Sequence, residues 1–316
     1  MTDAPLMLID AASLYYRAFH GVPDRRRDPA APPTNAVRGL VDMTASLVAH
    51  RSPGGLVMCW DDDWRPAFRV EAIPSYKEHR LAPGDTTGTT EDTPPDLVPQ
   101  VPVIVDLLAA LGIARVGAPG YEADDVIGTL VERTAGRRPV EVVTGDRDLF
   151  QLVDDAAGVR VLYTARGGVR DADEVDESWL VQKYGLASGR AYAEMAVLRG
   201  DPSDGLPGVK GIGEKTAVQL LDTFGSLAGI TEALDRGDDR LKGARRARLE
   251  EGRDYLAAAP RVVDVARDAP LEVTDEALAL PREVADPAAL ADLVERYDLG
   301  GPVGRLLDAL GLPPLA

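Results

Sequence analysis

Two carboxylates and a glycine-rich loop stand side by side in the second half of this chain. Asp201 and Asp204 come just before residues 208–216, whose sequence is GVKGIGEKT. Carboxylates three residues apart are oxygen ligands of the kind that divalent cations prefer. Glycines before a helix expose backbone N–H groups, which bind anions. The stretch therefore predicts a metal site beside a loop that holds a phosphate backbone.

Further carboxylates follow apolar runs. We predict strands at residues 5–10, 56–60 and 140–144, each ending at or followed by aspartates, and a helix that begins at Tyr121. Ligand sites collect where parallel strands end, so these side chains can converge. Unneutralised, they would repel one another, and Mg²⁺ or Mn²⁺ would relieve this. The carboxylates are Asp10, Asp61, Asp62, Asp63, Glu122, Asp124, Asp125, Asp146 and Asp148.

Each group also has a simpler structural interpretation. Acidic residues in the first turn of a helix cap it and complement its dipole. Asp146 and Asp148 can form an Asx-type turn, and Asp201 and Asp204 can end a loop around Pro202. Three carboxylates within residues 122–125 are more than a cap requires, however, and capping does not explain Asp146 and Asp148.

Strand patterns alternate with helical ones in the first half of the chain, which predicts an α/β fold with a largely parallel sheet. A fourth strand is expected at 159–163, and helices at 36–50, 98–111 and 122–135. From residue 174 the pattern is mostly helical, at 176–184, 188–199, 214–223, 226–235 and 240–258. Residues 81–96 have almost no apolar side chains, so they are either a surface linker or a mobile lid over the site.

Composition restricts the class of protein. The net charge of −17 argues against nucleic acid as a partner, but phosphate binding depends on where the cations sit, and two of the five lysines lie in the glycine-rich loop. Cys59 is the only cysteine and the histidines lack zinc-site spacing. Since no signal peptide or membrane span is evident, we expect a cytoplasmic protein.

Four separated motifs together resemble the bacterial 5′-nuclease family, which includes flap endonucleases and the 5′→3′ exonuclease domain of DNA polymerase I. They are Leu8-Ile9-Asp10 with Tyr16-Arg17-Ala18-Phe19, residues 120–125, residues 144–149 and residues 199–216. The resemblance runs from Leu6 to Phe224 and more weakly beyond. It implies a stand-alone member without a polymerase module.

The resemblance also implies an architecture. A PIN-like core with a central, mostly parallel sheet would occupy residues 1–173, with a helical arch over the mobile segment at 75–97. A helical DNA-binding extension would occupy residues 174–316, with a helix-three-turn-helix element at 196–224 and a C-terminal part packing back on the core.

Metal ligands carry over residue by residue. The resemblance places a first ion among Asp10, Glu122, Asp124 and Asp125, and a second among Asp146, Asp148, Asp201 and Asp204. An ungapped count back from Phe68-Arg69 selects Asp62 as the remaining ligand, although Asp61 lies one residue nearer the strand. Two or three Mg²⁺ or Mn²⁺ ions are implied, with Asp125 and Asp148 essential for catalysis.

Several residues are implied to contact phosphate. Lys77 and Arg80, with Tyr76, match the base of the family's arch and would stabilise charge at the scissile phosphate, although alone they indicate a solvated helix face. Arg17 matches a further phosphate contact.

The glycine-rich loop is not a P-loop, because Glu214 separates Gly213 from Lys215. By resemblance its Lys210, Gly211, Gly213, Lys215 and Thr216 would hold duplex phosphates, and its carbonyls a K⁺ ion. A purely structural turn is the alternative. The basic run 240–248 has acidic neighbours, which favours a salt-bridged helix face over a DNA contact.

The function that follows is a structure-selective, metal-dependent 5′ nuclease. Its substrates would be DNA flaps, pseudo-Y junctions, duplex 5′ ends and RNA–DNA hybrids, in replication and repair at the nucleoid, and it would act as a monomer. One rival is a junction-binding protein of the same fold without catalysis. Another is a PIN-like RNase for single strands, which the duplex-binding loop argues against.

Overall fold

A computed structural model of the chain describes residues 4–26 and 31–315, and its centre is a six-stranded sheet. The strands lie side by side in the order β3-β2-β1-β4-β5-β6, and all pairs are parallel except β5 with β6. The largely parallel sheet is thereby confirmed. Its strands are β1 (Leu6–Asp10), β2 (Gly55–Cys59), β3 (Ala114–Val116), β4 (Val140–Thr144), β5 (Val159–Tyr163) and β6 (Asp173–Val175).

The central strands are buried on both faces, as their continuous apolar sequences predict. Alternate side chains of β1 enter different cores: Leu6 and Leu8 face one, Met7 and Ile9 the other. Helices cover both faces of the sheet in the first part of the chain. They are α1 (Ala11–Gly21), α2 (Asn35–Arg51), α3 (Ala67–Ala72), α4 (Gln100–Leu111) and α5 (Ala123–Thr134).

The remainder of the chain is helical, as its sequence pattern predicts. The predicted helix 240–258 is divided, because α10 ends before Gly252 and α11 begins after it. The C-terminal helices pack back on the core, where Arg305 donates to Asp42 of α2 at 2.8 Å. The helices are α6 (Glu177–Tyr184), α7 (Gly189–Arg199), α8 (Glu214–Phe224), α9 (Leu227–Asp235), α10 (Gly243–Glu251), α11 (Arg253–Ala258), α12 (Pro260–Val263), α13 (Pro287–Tyr297) and α14 (Gly300–Leu310).

The segment expected to form a helical arch is a folded loop with one 3₁₀ turn, Glu78–Arg80. Its tip is organised by Asp85, whose carboxylate accepts from the backbone N–H groups of Thr87 and Thr89 at 3.0 Å each. The Trp64 indole donates to the Thr89 carbonyl at 2.9 Å. Residues 81–96 lack the apolar face that would let a helix pack, so polar turns take its place.

No helix within residues 4–26 or 31–315 is long and apolar enough to cross a bilayer.

Candidate active site

A polar cavity of about 260 Å³ opens at the carboxyl ends of β1 and β4. This is the edge at which the sequence predicts that carboxylates converge. The charged side chains that line it are Asp10, Asp61, Glu122, Asp124, Asp146, Lys77 and Arg80.

Asp10 and Asp61 are fixed by backbone and hydroxyl donors. Asp10 caps α1, accepting from the Ser13 N–H at 3.0 Å, and its other oxygen accepts from the Thr144 hydroxyl at 2.8 Å. Asp61 accepts from the Ala123 N–H at 2.8 Å. These bonds hold the carboxylates in place without neutralising their charge.

Burial and mutual repulsion make the carboxylates weak acids. Burial, with the charge of Asp146 adding to it, raises the pKa of Asp10 to about 6. Burial followed by the charge of Asp10 raises the pKa of Asp61 to about 7. Burial and the charge of Asp10 also raise the pKa of Asp124 well above its ordinary value. The cavity therefore favours protons or other cations.

A second carboxylate group adjoins the first. Burial raises the pKa of Asp148 well above its ordinary value, and the charges of Asp146, Asp204 and Asp201 add to the effect. The Asp148 N–H donates to Asp146 at 3.0 Å, and Arg80 pairs with Asp204 at 3.0 Å. These four carboxylates thus lie near one another, and their role as ligands of a second ion stays a prediction.

The predicted ligand Asp62 does not line the cavity. It faces a separate groove at the β3 edge and lies 3.4 Å from Arg115. Asp61 lines the cavity instead. Asp61 and Asp62 follow the end of β2 by two and three residues. A shift of one residue along the chain reverses which side chain points into the cavity, so the ungapped count could not decide between the two aspartates.

Asp125 is not brought into the cavity. Its side chain is fully buried and forms two hydrogen bonds of 2.7 Å with Arg69. It also accepts from the backbone N–H groups of Glu122 at 3.1 Å and Ala266 at 2.8 Å. These bonds indicate that Asp125 has a structural role at the start of α5, as the helix-capping interpretation proposes.

Arg69 is the residue that sequence reasoning missed. It is 2% exposed, pairs with Glu122 as well as Asp125 at 2.7 Å, and donates to the Val262 carbonyl at 3.0 Å. The only sequence signal was an isolated arginine in the short apolar helix α3. Arg69 thereby links the first carboxylate group to the C-terminal part of the chain.

Tyr76 also differs from its predicted role as a DNA contact. It is 3% exposed, and its hydroxyl donates to Glu122 at 2.6 Å. Its aromatic ring is part of the core, so the side chain of Tyr76 has no exposed surface with which to contact DNA. The hydroxyl group orients Glu122 instead. Glu122 receives a third partner, the Lys77 ammonium, inside the cavity.

The position of Lys77 is set by the loop that contains Asp204 and Gly205. Its backbone is left-handed, with φ of 47°, and its N–H donates to the Asp204 carbonyl at 3.0 Å. Gly205 lies against the same loop, where a Cβ would come within 2.1 Å of the Ser75 carbonyl oxygen. Only glycine allows this approach. Lys77 and Arg80 both line the cavity, and their contact with phosphate stays a prediction.

The glycine-rich loop presents a bare backbone at the surface. Val209 and Ile212 are buried, and the Val209 N–H donates to the Leu198 carbonyl at 2.9 Å. Nothing lies within 4 Å of the positions that Cβ atoms of Gly211 and Gly213 would occupy. Lys210 and Lys215 are exposed and Thr216 is half-buried. The geometry fits the predicted phosphate-binding turn.

Much of the basic run of residues 240–248 is paired with acidic residues that flank it. Arg240 pairs with Asp238 at 2.7 Å, and Arg246 and Arg248 pair with Glu250 and Glu251 at 3.1 Å each. The salt-bridged interpretation is therefore supported over the DNA contact.

The donor set fits a hard divalent cation. Within the described part of the chain, no three carboxylate, imidazole or thiolate side chains are close enough to form a complete metal-binding group. Mg²⁺ tolerates this, because it usually keeps several waters and takes only one or two carboxylates directly. Mn²⁺ favours the same oxygen ligands. One or two of Asp10, Asp61, Asp124 and Asp146 would bind the ion directly here, and the others through metal-bound water.

Comparison with known proteins agrees with the geometry. Residues 5–185 match the 5′-3′ exonuclease N-terminal resolvase-like domain, and residues 187–286 match the 5′-3′ exonuclease C-terminal SAM fold. A 5′-3′ exonuclease of Streptomyces coelicolor is 57% identical over 305 residues, covering 96% of this chain and 99% of that protein.

Two solved structures share the fold. One is the bacteriophage T5 5′-exonuclease with bound divalent metal ions (zinc), at a TM-score of 0.63 and 18% identity, covering 97% of this chain and 96% of that one. The other is the bacteriophage T5 flap endonuclease in a pseudo-enzyme-product complex with DNA and metal ions, at a TM-score of 0.61 and 17% identity, covering 97% and 95%.

Removing Arg69 is expected to destabilise the fold severely. Arg69→Met removes the guanidinium that two buried carboxylates share, which costs about 3–5 kcal/mol. Arg261→Met is the matched control, since Arg261 on α12 also pairs with a carboxylate, Glu71 of α3, but at 3.7 Å and in solvent. It should cost less than about 1 kcal/mol. Urea unfolding measures both. Equal losses in the two variants would contradict the role given to Arg69.

Asp61→Asn and Asp62→Asn separate the two candidate ligands. Asp61→Asn should abolish most of the rise in melting temperature that Mn²⁺ gives the native protein, because it removes a charged oxygen from the cavity. Asp62→Asn should leave that rise intact. A Mn²⁺ titration followed by differential scanning calorimetry distinguishes them, and the opposite pattern would restore Asp62 as the ligand.

Stabilisation by Mn²⁺ should increase with pH. The raised pKa values of Asp10 and Asp61, about 6 and about 7, mean that protons favour the folded state. Without metal, ionising these groups costs stability as pH rises from their ordinary pKa range through these values. Mn²⁺ competes with the protons, so its effect on the melting temperature should grow from about pH 5 to about pH 8. A shift that does not change with pH would refute this account.

Proposed function

This chain belongs to the 5′-3′ exonuclease family, and we propose that it is a structure-specific 5′ nuclease that hydrolyses phosphodiester bonds in DNA. One observation carries this proposal: Lys77 and Arg80 enter the same cavity as Asp10, Asp61 and Asp124. Carboxylates suited to divalent cations and cations suited to phosphate are thus combined in one site. A protein that only binds DNA has no need of such carboxylates.

Lys77 is placed to contact the phosphate that reacts. Its ammonium rests on Glu122, which Arg69 and Tyr76 hold in a fixed position. A phosphate oxygen entering the cavity can share this ammonium, and Arg80 adds a second positive charge from the Asp204 side. Preorganised cations of this kind stabilise the charge that builds on a phosphoryl group in the transition state.

Direct hydrolysis fits the cavity better than a covalent intermediate. Among the described residues that line it, none is a histidine or cysteine, and the Ser13 hydroxyl is engaged by the Gly145 N–H at 2.7 Å. Two or three bound Mg²⁺ or Mn²⁺ ions would supply the activation of water and the stabilisation of the departing 3′ oxygen. The products would be a 5′ phosphate and a 3′ hydroxyl.

The duplex would be held by the glycine-rich loop. Gly211 and Gly213 offer bare backbone, with Lys210, Lys215 and Thr216 around them, and such contacts position a duplex without reading its bases. A K⁺ ion bound by loop carbonyls belongs to this proposal. Arg17, half-buried on α1, would contact the backbone nearer the cavity.

Finer features also belong to the proposal. The substrates are flaps, pseudo-Y junctions, duplex 5′ ends and RNA–DNA hybrids, and the protein acts as a monomer at the nucleoid during replication and repair. Residues 1–173 form the nuclease core and residues 174–316 the DNA-binding extension.

Cleavage of a 5′-labelled flap with Mg²⁺, Mn²⁺ or chelator tests the function. The native protein should cut with either ion and not with chelator. Lys77→Ala should lower the cleavage rate about 10²- to 10³-fold, the loss typical of a group that stabilises transition-state charge. Lys183→Ala, an exposed lysine of α6, is the control. Cutting by Lys77→Ala at the native rate would exclude the assigned role, and no cutting by the native protein would exclude the function.

A further inference from the structure

Three arginines on the β5 side of the cavity have no carboxylate partner among the described residues. Within the described residues, no carboxylate lies within 4.0 Å of the guanidinium groups of Arg17, Arg147 or Arg166. Arg240, Arg246 and Arg248 of the densest basic run are salt-bridged instead. In a chain with a net charge of −17, cations left without a carboxylate partner are the ones available to a phosphate.

Arg17 lies one helical turn from the cavity. It follows Ser13 by four residues on α1, so both side chains are on one face of the helix. Ser13 lines the cavity and accepts from the Gly145 N–H at 2.7 Å. Arg17 donates to the Ala165 carbonyl at 3.4 Å, which joins α1 to the loop after β5. A continuous surface therefore leads from the cavity to residue 165.

Arg166 is carried on a rigid turn at the end of this surface. The Thr164 N–H donates to the Thr144 carbonyl at 2.8 Å, and the Gly168 N–H donates to the Thr164 carbonyl at 3.1 Å. Gly168 has a φ of 72°, and a Cβ there would lie 3.5 Å from the Arg17 guanidinium. The turn holds Arg166 exposed beside Arg17.

Arg147 lies on the neighbouring loop, which follows β4. It is exposed and comes directly after Asp146, which lines the cavity. Strands β4 and β5 pair in parallel with Thr144 opposite Tyr163, and Arg147 and Arg166 each follow these partners by three residues. The two arginines are thus carried on adjacent loops at the same edge of the sheet.

We propose that Arg147 and Arg166, together with Arg17, form a phosphate-binding rim on the β5 side of the cavity. The ligand is the sugar–phosphate backbone of the nucleic acid as it leaves the cavity. The rim rests on the proposed nuclease function and adds two contacts to it that no sequence motif indicated. It binds without reading bases, because arginine contacts to phosphate carry no sequence information.

The rim is tested by the salt dependence of binding to a labelled flap DNA in Ca²⁺, with anisotropy as the readout. Each lost phosphate contact lowers the slope of log Kd against log salt concentration by about 0.7–0.9. Arg166→Ala and Arg147→Ala should each show this decrease and weaken binding roughly three- to ten-fold at about 50 mM salt. Arg166→Lys should retain the native slope, since it keeps the charge. Arg236→Ala is the matched control, because Arg236 is exposed on α9's end and lies 3.8 Å from Glu232.

The outcomes distinguish the rim from the function. If the native protein cuts flaps while Arg166→Ala and Arg147→Ala keep the native affinity and slope, the rim is wrong and the nuclease stands. Equal losses in Arg236→Ala would also overturn it, since the effect would then be one of net charge. A native protein that neither binds nor cuts flap DNA would defeat the function itself.

Discussion

Repulsion among buried carboxylates is the constraint on which the rest of this structure depends. Asp10, Asp61 and Asp124 lie at strand and helix ends, close enough that the charge of Asp10 disfavours the ionisation of the other two. A fold that gathers such charges must stabilise them with hydrogen-bond donors that are already fixed in place, because ordering mobile donors would cost conformational entropy. The Ser13 and Ala123 amides and the Thr144 hydroxyl provide those donors. The remaining charge is what makes the cavity selective for cations.

Arg69 meets the same constraint by a different means. Its hydrogen bonds connect elements that are distant in sequence, since they join α3 to the first turn of α5 and to α12. A buried arginine is costly to desolvate, and only excellent geometry with several acceptors repays the cost. The network therefore defines one arrangement of Glu122 and Asp125, and through Glu122 it defines where Lys77 can rest.

The sequence predicted the scaffold better than the details of the site. Strands β1, β2, β4 and β5 have long apolar runs and were identified, whereas β3 and β6 have three residues each at the sheet edges and gave no signal. Convergence of carboxylates follows from strand ends, so the cavity was predictable. Which way a loop residue points is not: Asp61 and Asp62 differ only in the course of the backbone after β2. The burial of Tyr76 and the pairing of Asp125 with Arg69 depend on contacts across the fold that no local pattern encodes.

The close contact between Gly205 and Ser75 has a consequence for the synthesis of the protein on the ribosome. Ribosomes release the amino-terminal residues first, and domains tend to fold as they emerge. A partial chain that lacks Asp204 has no carbonyl to hold the Lys77 loop. One that lacks Val262 and Ala266 removes one backbone partner each from Arg69 and Asp125. Unfinished translation products would thus carry the acidic half of the site in an unassembled state. Synthesis itself would act as a safeguard, because cutting ability arrives only when most of the polypeptide has left the ribosome.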